Sequence, residues 1–265
     1  MTRLLAQAHH GAPAPGVYAL ICGAAIAIWL ATYRLPFDDP ARRRRIALRL
    51  AGWSGVRADV ARAIFGTVLY LGLGSLVLLV LLYFAPLPAA VLVSLPPLVA
   101  VPCLLLAMLG CSSLNVLFIS FLYRANPRTD VPREISQIQW IASILALPRH
   151  FRWIIPAAAA LVEELVFRGA VFIGLLTLGS NFWVAWLVST FLFTLGQVVL
   201  VSTSTQGFVM GSSSIALGTF GSLLIAATGS LIPAIILHMS FAGFYTNMSA
   251  ASNTSGARMP PGMRL

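Results

Sequence analysis

The sequence predicts an all-α polytopic membrane protein, a bundle of about seven transmembrane helices (six to eight) around a polar interior cavity. Three observations lead to this prediction. Of the 265 residues, 59% are hydrophobic and only 9% are charged, and the mean hydropathy is +0.91. The apolar residues form runs that are long enough to cross a bilayer. The few charged residues collect between these runs, as in membrane proteins and unlike soluble globular domains.

The apolar runs give seven spans in chain order. The third run, Ala89–Tyr123, exceeds one bilayer crossing, and we expect Pro96, Pro97 and Pro102 to break it into a surface piece and a span. The segment Ile135–Leu147 is predicted to form a short interfacial helix. The predicted spans are Val17–Tyr33, Ile64–Phe84, the later part of the third run, Trp153–Leu176, Phe182–Val201, Phe208–Thr228 and Leu231–Met248.

Arginine placement predicts the orientation. The segment 34–62 holds eight arginines and the segment 124–152 holds five, whereas the short connections near Pro86, Ser180 and Gly229 hold none. Seven spans put both arginine-rich segments on one side. The positive-inside rule makes that side the cytoplasm and places the N-terminus outside. We therefore expect an integral protein of a bacterial inner membrane, with the lipid bilayer as a partner. Nucleic acid is excluded, because the arginines flank apolar spans and do not line a soluble face.

Two adjacent glutamates and an arginine interrupt the fourth span. Glu163, Glu164 and Arg168 lie in an otherwise apolar helix, where ionisable groups are expensive. Glu164 and Arg168 are one helical turn apart and are predicted to pair, which leaves Glu163 partly uncompensated. A carboxylate in that setting can serve as a general base. A structural ion cluster and the ion site of a transporter are the alternatives that the spacing leaves open.

Other spans supply candidate partners for the glutamates. His238 is the one histidine inside a predicted span, and Thr190, Thr194 and Gln197 form a polar stripe on the fifth span. Hydrogen bonding between helices is the simpler explanation for such residues. No metal site or other cofactor is predicted, since one histidine and two glutamates are few ligands for a metal ion. Serine chemistry also lacks its usual Gly-x-Ser-x-Gly sequence.

The segment Glu163–Arg168 resembles the Glu-Glu-x-x-x-Arg signature of the CAAX protease and bacteriocin-processing (CPBP or Abi) family of intramembrane glutamic endopeptidases. The resemblance extends over about residues 150–248 and includes a Thr228-Gly229-Ser230 turn that leads into the helix of His238. It implies that Glu163 is the catalytic base, that Glu164 and Arg168 support it, and that His238 is an oxyanion donor.

Two positions depart from the family pattern. The second motif, Phe-x-x-x-His, reads Phe193 to Gln197 here, and the third, His-x-x-x-Asn, reads His238 to Ala242. An amide can hold water but cannot transfer a proton, and a methyl group donates no hydrogen bond. Losing an oxyanion donor typically costs ~10²–10³ in rate, and losing an acid–base partner costs ~10²–10⁴. The resemblance therefore implies a degenerate family member.

These departures favour a non-catalytic scaffold or a subunit of a membrane complex. The alternative is an active endopeptidase with a variant site that cuts a membrane-proximal peptide. The candidate partners are accordingly a peptide substrate or a membrane-protein complex. The expected organisation is an N-terminal membrane region with basic cytoplasmic segments (1–150), a CPBP-like core (151–248) and a disordered tail (249–265).

Overall fold

The computed structural model describes residues 13–93, 98–148 and 151–243; the predicted tail, 249–265, lies outside them. The described residues form helices joined by short connections, with no β-strand among them. The chain is an all-α polytopic membrane protein, as predicted. In chain order the elements are α1 (Pro15–Arg34), α2 (Pro40–Ser54), α3 (Ala58–Phe84), α4 (Ala89–Val93), α5 (Ala100–Ala125), α6 (Val131–Ser136), α7 (Gln139–Leu145), α8 (Phe151–Glu164), a π-helix (Leu165–Ile173), α9 (Gly174–Thr177), α10 (Phe182–Val199), α11 (Ser204–Thr228) and α12 (Ile232–Gly243).

Five helices are long and apolar enough to cross a membrane, namely α1, α3, α5, α10 and α11. The other two predicted spans are helical as well. Helix α8, the π-helix and α9 follow one another without a break from Phe151 to Thr177. Helix α12 is described as far as Gly243, and its predicted end at Met248 lies outside the described residues.

The long third apolar run contains two helices, α4 and α5. Pro102 lies in the first turn of α5, where the missing N–H would have no intrahelical acceptor, so this proline does not break the span. Pro96 and Pro97 fall between the two helices, outside the described residues. The run is thus divided as predicted, but Pro102 belongs to the span.

The prediction of one interfacial helix over Ile135–Leu147 is wrong. The segment forms the end of α6 and the whole of α7, divided at Ile138, which has an extended backbone conformation. Ile135, Ile138 and Ile141 are at most 1% exposed, because α6 packs on α11 while α7 packs on α3 and α8. The apolar face that suggested a membrane surface is covered by protein instead.

The π-helix lies between the two halves of the bundle. It contacts α3 on one side and α10 on the other, and it accepts side-chain hydrogen bonds from α10 and α1. Ser189 Oγ donates to the carbonyl of Phe167 at 2.7 Å, and Tyr18 Oη donates to the carbonyl of Ala170 at 2.9 Å. The π pattern shifts backbone hydrogen bonds from the α register, and such segments often occur at functional sites. Here it begins directly after Glu164.

Candidate active site

The five predicted site residues lie together inside the bundle. Glu163 and Glu164 end α8, Arg168 is in the π-helix, Gln197 is on α10 and His238 is on α12. Each residue is at most 9% exposed. We call this group the glutamate cluster. It places charged side chains toward the protein interior and away from lipid, as the cost of charge in a membrane requires.

Glu164 and Arg168 form the predicted ion pair. Arg168 Nη1 lies 3.1 Å from Glu164 Oε1, and both side chains are almost completely buried. The contact is a charge contact, since no N–H of Arg168 is aligned for a hydrogen bond within the described part of the chain. The guanidinium carbon also lies 4.1 Å from the ring centroid of Phe193, where a cation is attracted to the aromatic face.

His238 lies between the two carboxylates. Its Nδ1 is 2.8 Å from Glu164 Oε1, and its Nε2 is 3.6 Å from Glu163 Oε2. The first distance is a hydrogen bond and the second is too long for one. Because a carboxylate only accepts hydrogen bonds, Nδ1 carries the hydrogen in this arrangement. The Nε2 edge of the ring therefore faces the space beside Glu163.

Glu163 receives its hydrogen bonds from neutral groups. Tyr70 Oη donates to Glu163 Oε1 at 2.5 Å, and Gln197 Nε2 donates to Glu163 Oε2 at 3.2 Å. Among the described residues no arginine is paired with Glu163, and Glu164 is the carboxylate in the ion pair, as predicted. The cluster holds two carboxylates against one guanidinium, so that a single proton makes it neutral.

Tyr70 is a residue beside the glutamate cluster that sequence reasoning missed. It comes from α3, where the sequence shows only a general membrane pattern. Thr67 precedes it by three residues and lines the same cavity, so a short polar stripe on an apolar span was the available signal. Neither residue belongs to the family motifs.

The polar stripe on α10 contributes only its last member to the cluster. The hydroxyls of Thr190 and Thr194 are buried and have no hydrogen-bond partner among the described residues. The side chain of Thr190 instead packs where Gly218 of α11 has no side chain, since a Cβ there would lie 2.6 Å from Thr190 Cγ2. This part of the stripe brings α10 and α11 close together.

A cavity adjoins the glutamate cluster. Glu163, Gln197 and His238 lie on its wall, while Glu164 and Arg168 lie behind them. We call it the central cavity. A second, more polar cavity shares part of its wall and reaches the arginine-rich segment at the end of α1 and the start of α2. The residues common to both walls are Tyr33, Phe37, Gln139, Trp140 and Leu200.

The two departures from the family pattern both face this space. Gln197 and Ala242 are on the wall of the central cavity, so the amide and the methyl group stand beside Glu163 and His238. Among the described residues, no group of three or more metal-ligating side chains lies close enough to hold a metal ion. The available chemistry there consists of a carboxylate, an imidazole, an amide and a phenol.

Residues 146–244 match the family model described as type II CAAX prenyl endopeptidase Rce1-like. This part of the chain is therefore similar to the CPBP family. The matched residues, which we call the Rce1-like region, make up somewhat over a third of the chain and contain the whole glutamate cluster. Tyr70 lies outside the Rce1-like region. A search of curated proteins and a search of solved structures each gave no match. The chain is thus a membrane protein of the CAAX-protease-like type.

Proposed function

We propose that the protein is an intramembrane endopeptidase with an impaired site, which binds a membrane-proximal peptide in the central cavity and cleaves it slowly. The observation that supports this proposal is the position of Glu163. Its carboxylate lies on the cavity wall, oriented by Tyr70 and Gln197 and flanked by His238. A base must be within reach of the water that it activates, and a cavity beside it supplies room for water and peptide.

In this proposal Glu163 takes a proton from the attacking water. Glu164 neutralises Arg168 and holds His238 through its Nδ1. When His238 carries both ring hydrogens, Nε2 can donate to an oxyanion placed between it and Glu163, because the 3.6 Å separation leaves that hydrogen available. The two glutamates thus have different tasks, one chemical and one structural.

The impairment follows from positions 197 and 242. Gln197 can orient water through its amide but cannot take or give a proton. Ala242 offers no side-chain donor to an oxyanion on the wall of the cavity. Together these changes remove an acid–base term of ~10²–10⁴ and an oxyanion term of ~10²–10³. Slow turnover is the expected result.

The test is a cleavage assay on a library of membrane-proximal peptides, using the full chain reconstituted in lipid nanodiscs. We expect slow cleavage that Glu163→Gln abolishes. The matched control is Asp59→Asn, which removes a carboxylate paired with the exposed Arg57 and should leave turnover unchanged. Absence of any turnover by the natural sequence would overturn the enzymatic proposal.

The second candidate is a non-catalytic scaffold or a subunit of a membrane complex. The methyl group of Ala242 beside His238 favours it, because a site under selection for rapid hydrolysis would keep a donor there. Purification in mild detergent distinguishes the two candidates. A stoichiometric membrane partner, recovered together with an inactive chain, would support the scaffold; active protein recovered alone would exclude it.

A further inference from the structure

Tyr70 completes the glutamate cluster from outside the Rce1-like region. Its hydroxyl donates to Glu163 Oε1 at 2.5 Å, and the residue lies on the wall of the central cavity. The ring is held by aromatic neighbours on α1, with its centroid 4.8 Å from that of Trp29 and 5.1 Å from that of Tyr33. A phenol is therefore fixed against the proposed base, on the side opposite Gln197.

Peptide hydrolysis needs a proton on the leaving nitrogen, and the cluster offers few sources for one. Gln197 has no proton to give, and the Nδ1 hydrogen of His238 is bonded to Glu164. The Nε2 hydrogen of His238 is assigned to the oxyanion. Glu163 itself takes the water proton on Oε2, the oxygen that faces Gln197. Among the described residues beside Glu163, Tyr70 is the one further group after His238 that can both donate and accept a proton.

The geometry points to Tyr70 as a proton relay that protonates the leaving amine and is recharged by Glu163. This inference rests on the proposed endopeptidase function. It assigns to α3 the acid–base task that the family motif places at position 197 of α10. In this chain a phenolic hydroxyl then carries out the proton transfer that the imidazole of the second motif carries out in the family.

The steps of the relay conserve protons and electrons. Water attacks the peptide carbonyl, a C–O bond forms, and one water proton goes to Glu163 Oε2. The tetrahedral intermediate collapses, the C–N bonding pair goes to nitrogen, and the nitrogen takes the hydroxyl proton of Tyr70. A half-turn of the Glu163 carboxyl group brings its protonated oxygen to the phenolate, which recovers the proton. The products are a carboxylic acid and an amine, and both side chains return to their initial states.

The experiment compares Tyr70→Phe with Tyr83→Phe on two substrates of one sequence, a peptide amide and a 4-nitrophenyl ester. Tyr83 lies on the same helix, α3, but it is 83% exposed and is not on the wall of the central cavity. The amide needs a proton on its leaving group, whereas 4-nitrophenolate leaves without one. We expect Tyr70→Phe to lower kcat on the amide about 10²-fold or more with KM unchanged, and to spare the ester. Tyr83→Phe should leave both rates unchanged.

Three outcomes separate the relay from other roles. Equal loss on amide and ester would show that Tyr70 only positions Glu163 and would overturn the relay. An unchanged amide rate would also overturn it while leaving the endopeptidase function intact. Lack of turnover by the natural sequence on either substrate would remove the proposed function and the relay together. A variant with 3-fluorotyrosine at position 70, which keeps the hydroxyl and the ring, should retain amide cleavage. It is the control that separates loss of the hydroxyl in Tyr70→Phe from a folding defect caused by substitution at this position.

Discussion

The indole nitrogen of Trp29 donates a hydrogen bond to the backbone carbonyl of Tyr70 at 3.1 Å. This bond fixes α1 to α3 at the level of the glutamate cluster, and the two rings, tilted by 38° with centroids 4.8 Å apart, extend the contact. Trp29 is 1% exposed although it lies in a predicted lipid-crossing span. A buried indole N–H normally finds an acceptor, and here the acceptor belongs to the residue that holds Glu163.

Packing around Trp29 should tolerate no extra atom. Gly74 faces this tryptophan, and a Cβ at that position would lie 2.7 Å from Trp29 Cζ2 and 2.8 Å from Val162 Cγ1. We expect Gly74→Ala to destabilise the protein by about 1–3 kcal/mol through overpacking. Gly72→Ala, on the same helix with nothing within 4 Å, is the control and should be neutral or stabilising. Thermal unfolding in detergent measures both, and equal melting temperatures would contradict the packing argument.

Arg168 should contribute strongly to stability. Replacing it with leucine leaves the Glu164 carboxylate buried without a cation, which costs about 3–5 kcal/mol. The matched change is Arg57→Leu, because Arg57 pairs with Asp59 at the surface with 78% of its side chain exposed. That variant should lose about 0–1 kcal/mol. If Arg168→Leu unfolds at the same temperature as the natural protein, the buried pair does not have the proposed structural role.

Restoring the family pattern at both departures should raise the rate of cleavage. Gln197→His returns a proton-transferring group and Ala242→Asn returns an oxyanion donor. Each is expected to add about 10²-fold or more to kcat, although such effects need not multiply. Gln137→His with Ala142→Asn makes the same chemical changes at exposed positions and should have no effect. A double variant no faster than the natural chain would show that other features limit the reaction.

Orientation in the membrane can be tested by labelling single cysteines. With Cys22, Cys103 and Cys111 replaced by alanine, Ser54→Cys reports on the arginine-rich side and Pro86→Cys on the opposite side. In intact cells, a membrane-impermeant maleimide should label the cysteine at position 86 and leave position 54 unlabelled until the cells are broken. The reverse pattern would mean that the positive-inside rule fails for this chain.

The helices and the charged residues of the site could be predicted from sequence because each leaves a local pattern. An apolar run that crosses a bilayer must satisfy its backbone internally, so α1 and α3 follow from length and composition alone. The pairing of Glu164 with Arg168 follows from helical spacing, and the position of the pair inside the bundle follows from the cost of exposing charge to lipid.

The remaining features depend on contacts between distant segments. Nothing near Tyr70 in the sequence indicates that its hydroxyl meets Glu163, because the contact exists only once α3 packs against α8. Ile135 and Ile141 suggested a helix at the membrane surface because an apolar face looks the same whether lipid or protein covers it. The π-helix was also unforeseen, since no local sequence pattern indicates it; Ser189, which donates to the carbonyl of Phe167, is distant in the sequence.

The hydrogen bond from Tyr18 to the carbonyl of Ala170 joins the first helix of the chain to the π-helix beside Arg168. Sequence comparison detects the segment 146–244 as a separate unit, yet this bond and the contact from Tyr70 cross its boundary. A fragment cut at residue 146 would keep every motif residue and lose Tyr70 and Tyr18, which donate to Glu163 and to the carbonyl of Ala170. The boundary that sequence comparison finds at residue 146 is therefore not the boundary of the folded unit. Substitutions in α1 and α3 can change the chemistry of the site while its motif residues stay the same.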